Sequence, residues 1–367
     1  MQGMRYIVRH LVLLLGLVML LAGAVCPAAG KWEIYDVGGV KYVDLSDVWS
    51  FYSYSPKKGR AGFISYGGGK YVVSVKPEKQ DFYVNNFRYI LSFPVRRHGD
   101  KLLISTIDMK KLVHPVLRPR FSRHAGVMRT VVLDPGHGGH DAGAVSPWAR
   151  EKDCNLQLAL KVKSRLEKYG FRVVMTRSTD VFLTLKQRVA IANRTPDSIF
   201  VSIHHNSGRR AAEGIETFTL APHGTTSPFA KTRRYADLEG NEQDSENIAL
   251  ATAIHSRAIM STKATDRGIQ RARFSVLCTI KRPAVLFEGG FVSNPEEGRR
   301  IATDSYQNKL ADSIAEGVLN YSHIVGGNGG KSGLKYHSTR PSSSGSATTR
   351  GRSSLNSSNS YRGTTRL

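Results

Sequence analysis

Three apolar runs, far apart in the 367-residue chain, each lead into a residue with a reactive side chain, and this constrains the fold more than any other feature. "TVVLD" starts at Thr130 and runs to His137, "SIFVSI" starts at Ser198 and runs to His204, and "PAVLF" starts at Pro283 and runs to Glu288. Short apolar runs bounded by turn formers read as buried strands. Strands that alternate with helical patterns imply an α/β fold, a mostly parallel sheet flanked by helices. In such a sheet the positions just past the strands gather along one edge, where α/β proteins hold their ligands. His137, His204 and Glu288 are therefore expected at one site.

The intervening segments carry helical signals. "DCNLQLALKVKSRLEKYG" offers Asp153 as a cap, Leu156, Leu160, Leu166 and Tyr169 on roughly one side, and Gly170 as a stop. "FRVVMTR" then returns as a strand. Further helices are expected from Leu185 to Asn193, through "NIALATAIHSRAIM", and through "YQNKLADSIAEGVLNY". The last places Tyr306, Leu310, Ile314, Val318 and Tyr321 at helical spacing. Before it, "SNPEE" supplies Asn294 as a cap and Pro295 in the first turn.

The turn "PGHGGHDAGA" sets His137 and His140 among glycines, which let backbone or ligand approach closely. The two imidazoles bond to nearby carbonyls, or they serve a ligand. Glu151, just before the first helix of this region, adds a carboxylate to the candidates. Two imidazoles and one carboxylate form a common zinc set with a fourth position left open for water, and a second carboxylate is then available as a base.

These residues lie in "LDPGHGGHDAGA", "EKDCNLQLALKVKSRLEKYGFRVVMTRSTDVFLTLKQRVAIAN", "VSIHHN", "DRGIQRARFSVL" and "PAVLFEGGFVSNPEE". Together, from about Arg129 to Tyr321, they resemble the zinc-dependent N-acetylmuramoyl-L-alanine amidases of bacterial cell division and germination. The resemblance implies Zn2+ as cofactor, His137, Glu151 and His204 as its ligands, and Glu288 as the catalytic glutamate. It implies peptidoglycan as substrate, cut between the lactyl group of N-acetylmuramic acid and L-alanine. His205 departs from the family, which usually has a small residue there, and either adds a hydrogen bond at the site or competes for the metal, while Asn206 is expected to orient a ligand or substrate. Arg177, Asp180 and Arg188 match family positions and are expected in a structural network of ion pairs and turns. A second reading is a peptidoglycan-binding scaffold whose amidase domain is inactive.

The segment from Pro222 to Asp244 is long and rich in turn formers and charge. It is a plain flexible loop, or, as in regulated members of the resembled family, a cover on the site. In the second case Glu239, Glu242 or Asp244 acts as a plug and a regulatory protein displaces it. His223 is expected at the surface, with a place near zinc as the alternative.

The flanks carry their own signals. Residues 1–29 have the layout of a secretory signal peptide, with Arg5, Arg9 and His10 ahead of "LVLLLGLVMLLAGAV" and small residues after it. That places the protein in the periplasm or cell envelope; Val25 disfavours acylation at Cys26. Residues 31–120 read as a small β-rich domain, a stalk or wall-binding unit, with strand alternation in "YVVSV" and turns at "VGGV", "YGGGK", "VNNF" and "RHGD". Its layout resembles the small N-terminal domain of copper amine oxidases, and no copper site carries over. A basic, proline-containing link, "HPVLRPRFSRHAGVMR", joins it to the catalytic domain, 129–323. From residue 326 to 367 the chain is Gly, Ser, Thr and Asn with scattered cations and no acid, a disordered basic tail.

The formal charge of +24 suggests nucleic acid, but export points to anionic envelope surfaces as the partner, reached through the basic tail. Apart from Cys26, the cysteines are Cys154 and Cys278, too few for a disulfide framework. Both sit beside apolar runs and read as free buried thiols or as one pair.

Overall fold

The computed structural model describes residues 32–119, 128–228 and 230–325. Residues 1–29, expected as a signal peptide, and 326–367, expected as a basic tail, lie outside the described residues.

The parallel heart of the molecule is β10 (Thr130–Pro135), flanked by β11 (Arg172–Met175) and β12 (Ser198–Asn206), with β17 (Ala284–Phe291) beyond β12. All three of these pairings are parallel. Their side chains alternate between two cores. Val131, Leu133, Val201, Ile203, Val285 and Phe287 join one, and Val132, Phe200 and Leu286 the other. A sheet covered on both faces explains why these strands read as continuous apolar runs, with no polar face.

The first core is closed by residues of three helices, Glu151–Lys168 (α4), Asp244–Thr262 (α6) and Asp304–Val325 (α9). The second is closed by Leu185–Asn193 (α5) and Ser275–Cys278 (α7). Tyr306, Leu310, Ile314, Val318 and Tyr321 are all buried, as their spacing predicts. Asn294 caps Pro295–Ile301 (α8) by accepting from the N–H groups of Glu296 and Glu297.

In α4 the expected cap and face are both displaced. The cap position is Arg150, and Asp153 lies inside the first turn, paired with Arg150 at 2.6 Å. The buried stripe is Glu151, Cys154, Asn155, Leu158, Ala159, Val162 and Leu166, whereas Leu160 and Tyr169 are exposed. The stripe is set by Glu151 and Asn155, two polar residues one turn apart that the helix must turn toward the sheet edge. Gly170, at φ +86°, ends the helix as expected.

Beyond β17 the sheet becomes mixed. β13 (Ile215–Leu220) pairs antiparallel with β17, and β16 (Asp266–Ala272) pairs parallel with β13. The sheet does not stop there. β16 continues through Ile269 opposite Tyr89 into β7 (Phe87–Ile90), followed by β6 (Asp81–Val84), β5 (Tyr71–Val75), β4 (Ile64–Gly68) and β3 (Ser55–Lys57) as an antiparallel meander. The result is one eleven-stranded sheet. A second sheet of four strands is ordered β1 (Tyr35–Val37), β2 (Val40–Asp44), β9 (Lys101–Ser105) and β8 (Arg96–His98). Leu45–Phe51 (α1) lays Trp49 into the same core that holds Leu133 and Ile203.

The expected link is helical over its first part. Thr106–Asp108 (α2), a π-helical turn Met109–Val113 and His114–Leu117 (α3) run on without a break, and residues 120–127 lie outside the described residues. Asp108 locks this corner, accepting from the N–H groups of Ser92 and Phe93 and pairing with buried Arg271 of β16 at 3.2 Å.

The segment from 222 to 244 is not a cover on the candidate site. β13 runs antiparallel to β17, with Glu216 opposite Glu288 and Phe218 opposite Leu286, so the chain leaves β13 at the opposite edge of the sheet. There it forms the hairpin of β14 (Thr225–Ser227) and β15 (Ala230–Arg234), and a 3-10 turn at Glu239–Gln243. Glu239 pairs with Lys281, and buried Asp244 faces Lys111 at 3.1 Å. His223 is at the surface, 3.6 Å from Asp237.

Candidate metal centre

β10 and β12 end side by side, and α4 begins beneath them. This brings His137, Glu151 and His204 together, with one possible ligand atom from each lying within 4.8 Å of the others. Glu151 Oε1 stands between the two imidazoles, 3.2 Å from His137 Nε2 and 3.0 Å from His204 Nδ1. Two turns crowd the set. A Cβ on Gly136 would collide with the His204 ring, and a Cβ on Gly143, at φ +63°, would sit 2.6 Å from Glu151 Oε2 and 2.7 Å from His137 Cδ2. We therefore expect Gly143→Ala to remain folded by circular dichroism and to bind zinc about ten- to a hundredfold more weakly in a chelator competition, the scale seen when the support of a ligand is disturbed.

The ligands are held from behind. His137 Nδ1 meets Asp141 Oδ2 at 2.8 Å, which turns Nε2 toward Glu151. Glu151 Oε2 accepts from the Ala144 N–H at 2.9 Å, while Oε1 accepts from Asn155 Nδ2 and the His205 N–H. Burial opposes ionisation of Glu151, yet its hydrogen bonds from His137 and His204 hold the carboxyl well below its usual range. Burial likewise opposes charging of His137, and Glu151 and Asp141 together still raise its imidazole. The donor chemistry, two imidazoles and a carboxylate that converge on one point, fits a cation.

Glu288 lies across the strand pair from His204. Burial, and then the charges of Glu151 and Glu216, push its carboxyl well above the usual range. Its Oε2 is buried with no hydrogen-bond partner. A buried carboxyl oxygen without a partner costs free energy unless a reacting molecule uses it.

The other expected residues fall around this centre. His205 points away from it on the alternate face of β12, fully buried, with Nδ1 on Asn155 Oδ1 at 2.8 Å; burial lowers its pKa to about 4. It is thus a neutral brace for Asn155 and not a rival ligand. Asn206 reaches Glu216 at 3.5 Å and caps the Ser207 N–H. His140 is exposed, its ring against Phe182, and does not join the ligand set. Arg188 donates to Asp134, Pro135 O and His137 O, and Arg177 to Pro135 O, Gly136 O and Lys152 O, so both tie the His137 turn to the sheet. Asp180 accepts from the Gly139 N–H and Lys152. Cys154 is free and buried, with its thiol pushed up to about 11 by burial; Cys278 is free and partly buried.

Three supporting residues escaped the sequence reading. Asp141 and Asn155 each lie four residues beyond a ligand, a spacing that puts Asn155 on Glu151's face of the helix and was available as a signal. Glu216, held by Arg267 and Gln270 beside Glu288, had no local signal, because it arrives from an antiparallel neighbour.

Two imidazoles and a carboxylate converging beside a second, buried carboxyl at a sheet edge define the class of site that metal-assisted hydrolases use. The model of the Amidase_3 family, described as N-acetylmuramoyl-L-alanine amidase, matches residues 131–320, and the chain belongs to that family. It is 37% identical over 193 residues to the protein YqiI of Bacillus subtilis (strain 168), covering 53% of this chain and 84% of that one. It is 34% identical over 242 residues to the N-acetylmuramoyl-L-alanine amidase AmiC of Escherichia coli O6:H1, covering 58% of each chain. Among solved structures it is similar to the catalytic domain of CwlV, an N-acetylmuramoyl-L-alanine amidase from Bacillus (Paenibacillus) polymyxa var. colistinus. That match is 37% identical with a TM-score of 0.46, over 54% of this chain and 99% of that one.

Proposed function

We propose that the protein is an exported zinc hydrolase of peptidoglycan that cuts the amide between the lactyl group of N-acetylmuramic acid and L-alanine. One observation carries this reading: the convergence of His137, Glu151 and His204 beside Glu288, whose buried Oε2 has no hydrogen-bond partner. Family membership supplies the bond. His137, Glu151 and His204 would hold the ion, and the donor set of two nitrogens and one carboxylate suits zinc with an open position. When bound, zinc supplies Lewis acidity that polarises the scissile carbonyl and acidifies water.

The chain's own residues do the rest. Glu288 Oε2 takes a proton from the attacking water and returns it to the departing amine, so the C–N bond breaks as a C–O bond forms. A carboxyl with raised proton affinity suits both halves of that transfer, since it neither holds the proton too weakly nor releases it to bulk water first. Asp141 and Asn155 keep the ligands in register while this happens. In this reading residues 1–29 direct export to the periplasm or cell envelope. The basic tail meets anionic envelope surfaces, no nucleic-acid partner is needed, and residues 31–120 serve as a stalk or wall-binding unit. Among the described residues no helix is long and apolar enough to cross a membrane.

The test is digestion of purified sacculi followed by mass spectrometry. Stem peptides with a free L-alanine amino terminus are expected, their release abolished by a chelator and restored by added zinc. Release of sugar fragments, or full activity in chelator, would overturn the assignment.

A further inference from the structure

Among the described residues, four of the ten large apolar side chains left exposed cluster on two segments that grip the candidate site: Val145, and Val181, Phe182 and Leu185. Val145 follows Gly143, which touches both Glu151 and His137. The other three follow Asp180, which accepts from the Gly139 N–H at 2.8 Å, two residues past His137. Phe182 packs on this turn, since a Cβ on Gly139 would come within 2.8 Å of its backbone nitrogen. His140 lies 4.1 Å from the Phe182 ring, centre to centre, and inclined by 36°. The platform is fixed from both ends, by Lys152 on Asp180 and Gly139 O, and by the reciprocal capping of Thr184 and Gln187 that starts α5. Isolated apolar side chains at a surface need no explanation, but a rigid aromatic pair with aliphatic neighbours beside a reactive centre marks a binding surface.

We propose that Phe182 and His140 form a stacking platform for a sugar ring of the glycan strand, with Val181, Leu185 and Val145 taking the apolar parts of neighbouring substituents. This rests on the amidase reading above. The occupant follows from position: the scissile amide is attached through a lactyl group to a hexosamine, so the reacting carbonyl at His137 places a sugar within a few ångströms of the same turn. A hexosamine has a C–H face that covers an aromatic ring, and polar groups on its rim that stay in water, as Phe182, 40% exposed, would require.

Phe182→Ala and Phe182→Trp test the platform on two soluble substrates with the same scissile bond, N-acetylmuramoyl-L-alanyl-D-isoglutamine and a glycan oligomer that carries stem peptides. For Phe182→Ala, KM for the oligomer should rise about tenfold with kcat held within twofold, the size expected for one lost ring contact. The monosaccharide substrate carries the same sugar and should lose by a similar factor, and Phe182→Trp should restore KM on both substrates. Binding of stem-free glycan oligomers to the wild-type protein, followed by titration calorimetry, should weaken by a similar factor in Phe182→Ala. That arm needs no hydrolysis, so a wrong amidase assignment and a wrong platform give different results. Unchanged KM and unchanged oligomer binding in Phe182→Ala, as expected if the patch instead docks a protein, would overturn the proposal, and so would a loss on both substrates that Phe182→Trp does not restore.

Discussion

Glu288→Gln should bind zinc at close to one ion per chain and lose on the order of 10²-fold or more in turnover, because the amide keeps the shape of the side chain and removes only its proton transfer. His204→Ala should fail differently, losing zinc and activity together, since two remaining ligands cannot hold the ion well. Metal analysis and amidase rate on both variants separate the two roles. The reasons differ at the atomic level. Glu151 Oε1 is 3.0 Å from His204 Nδ1, so loss of His204 also strips a hydrogen-bond partner from a buried carboxylate. Glu288 has no such partner to strand. A zinc-replete His204→Ala protein would remove His204 from the metal site, and a fully active Glu288→Gln protein would remove Glu288 from the mechanism.

The largest effect on stability is expected at Arg188→Ala. Arg188 and Asp134 are 3% and 1% exposed and 2.8 Å apart, at the point where β10 turns into the His137 loop. Asp134 would keep Thr176 and Ser202 as hydrogen-bond donors but lose the guanidinium it pairs with. Breaking a buried ion pair from one side costs ~3–5 kcal/mol, which in a molecule of this size lowers the melting temperature by roughly 10 °C. Because Arg188 also holds the carbonyls of Pro135 and His137, zinc affinity should fall with it. Asp134→Asn placed on Arg188→Met should recover part of the melting temperature and none of the zinc affinity. A melting temperature unchanged in Arg188→Ala would show that water reaches Asp134.

Much of the centre was legible because its signals are local. A strand buried on both faces leaves a run such as "SIFVSI", and the first residues past it must sit at the sheet edge, which located His137, His204 and Glu288. Glu151 was harder, since Asp153 makes the better cap by composition. The helix begins earlier because Glu151 is needed inward, and the apolar face shifts with it. The direction of β13 was not legible at all. Nothing in "GIETFTL" distinguishes a parallel strand from an antiparallel one, and that single choice moved the 222–244 segment from the site's rim to the far edge. The junction of Tyr89 with Ile269 was hidden for the same reason, as it joins residues 180 positions apart with no turn between them to read.

That junction has a thermodynamic side. Trp49, Val73 and Phe82 from the first hundred residues share one continuous core with Leu133, Ile203 and Tyr321, and Asp266 accepts from the Arg88 N–H at 2.9 Å across the join. Melting the meander would uncover β16 and α6 at once, so the two ends of the sheet draw on a common reserve of folding free energy. An ion held at His137, Glu151 and His204 therefore protects the amide protons of strands that never touch it, by RT ln(1 + [L]/Kd) for every opening that breaks the shared core. Whatever grips the meander tightens the hold on the ion in equal measure whenever the ion-free chain spends part of its time open.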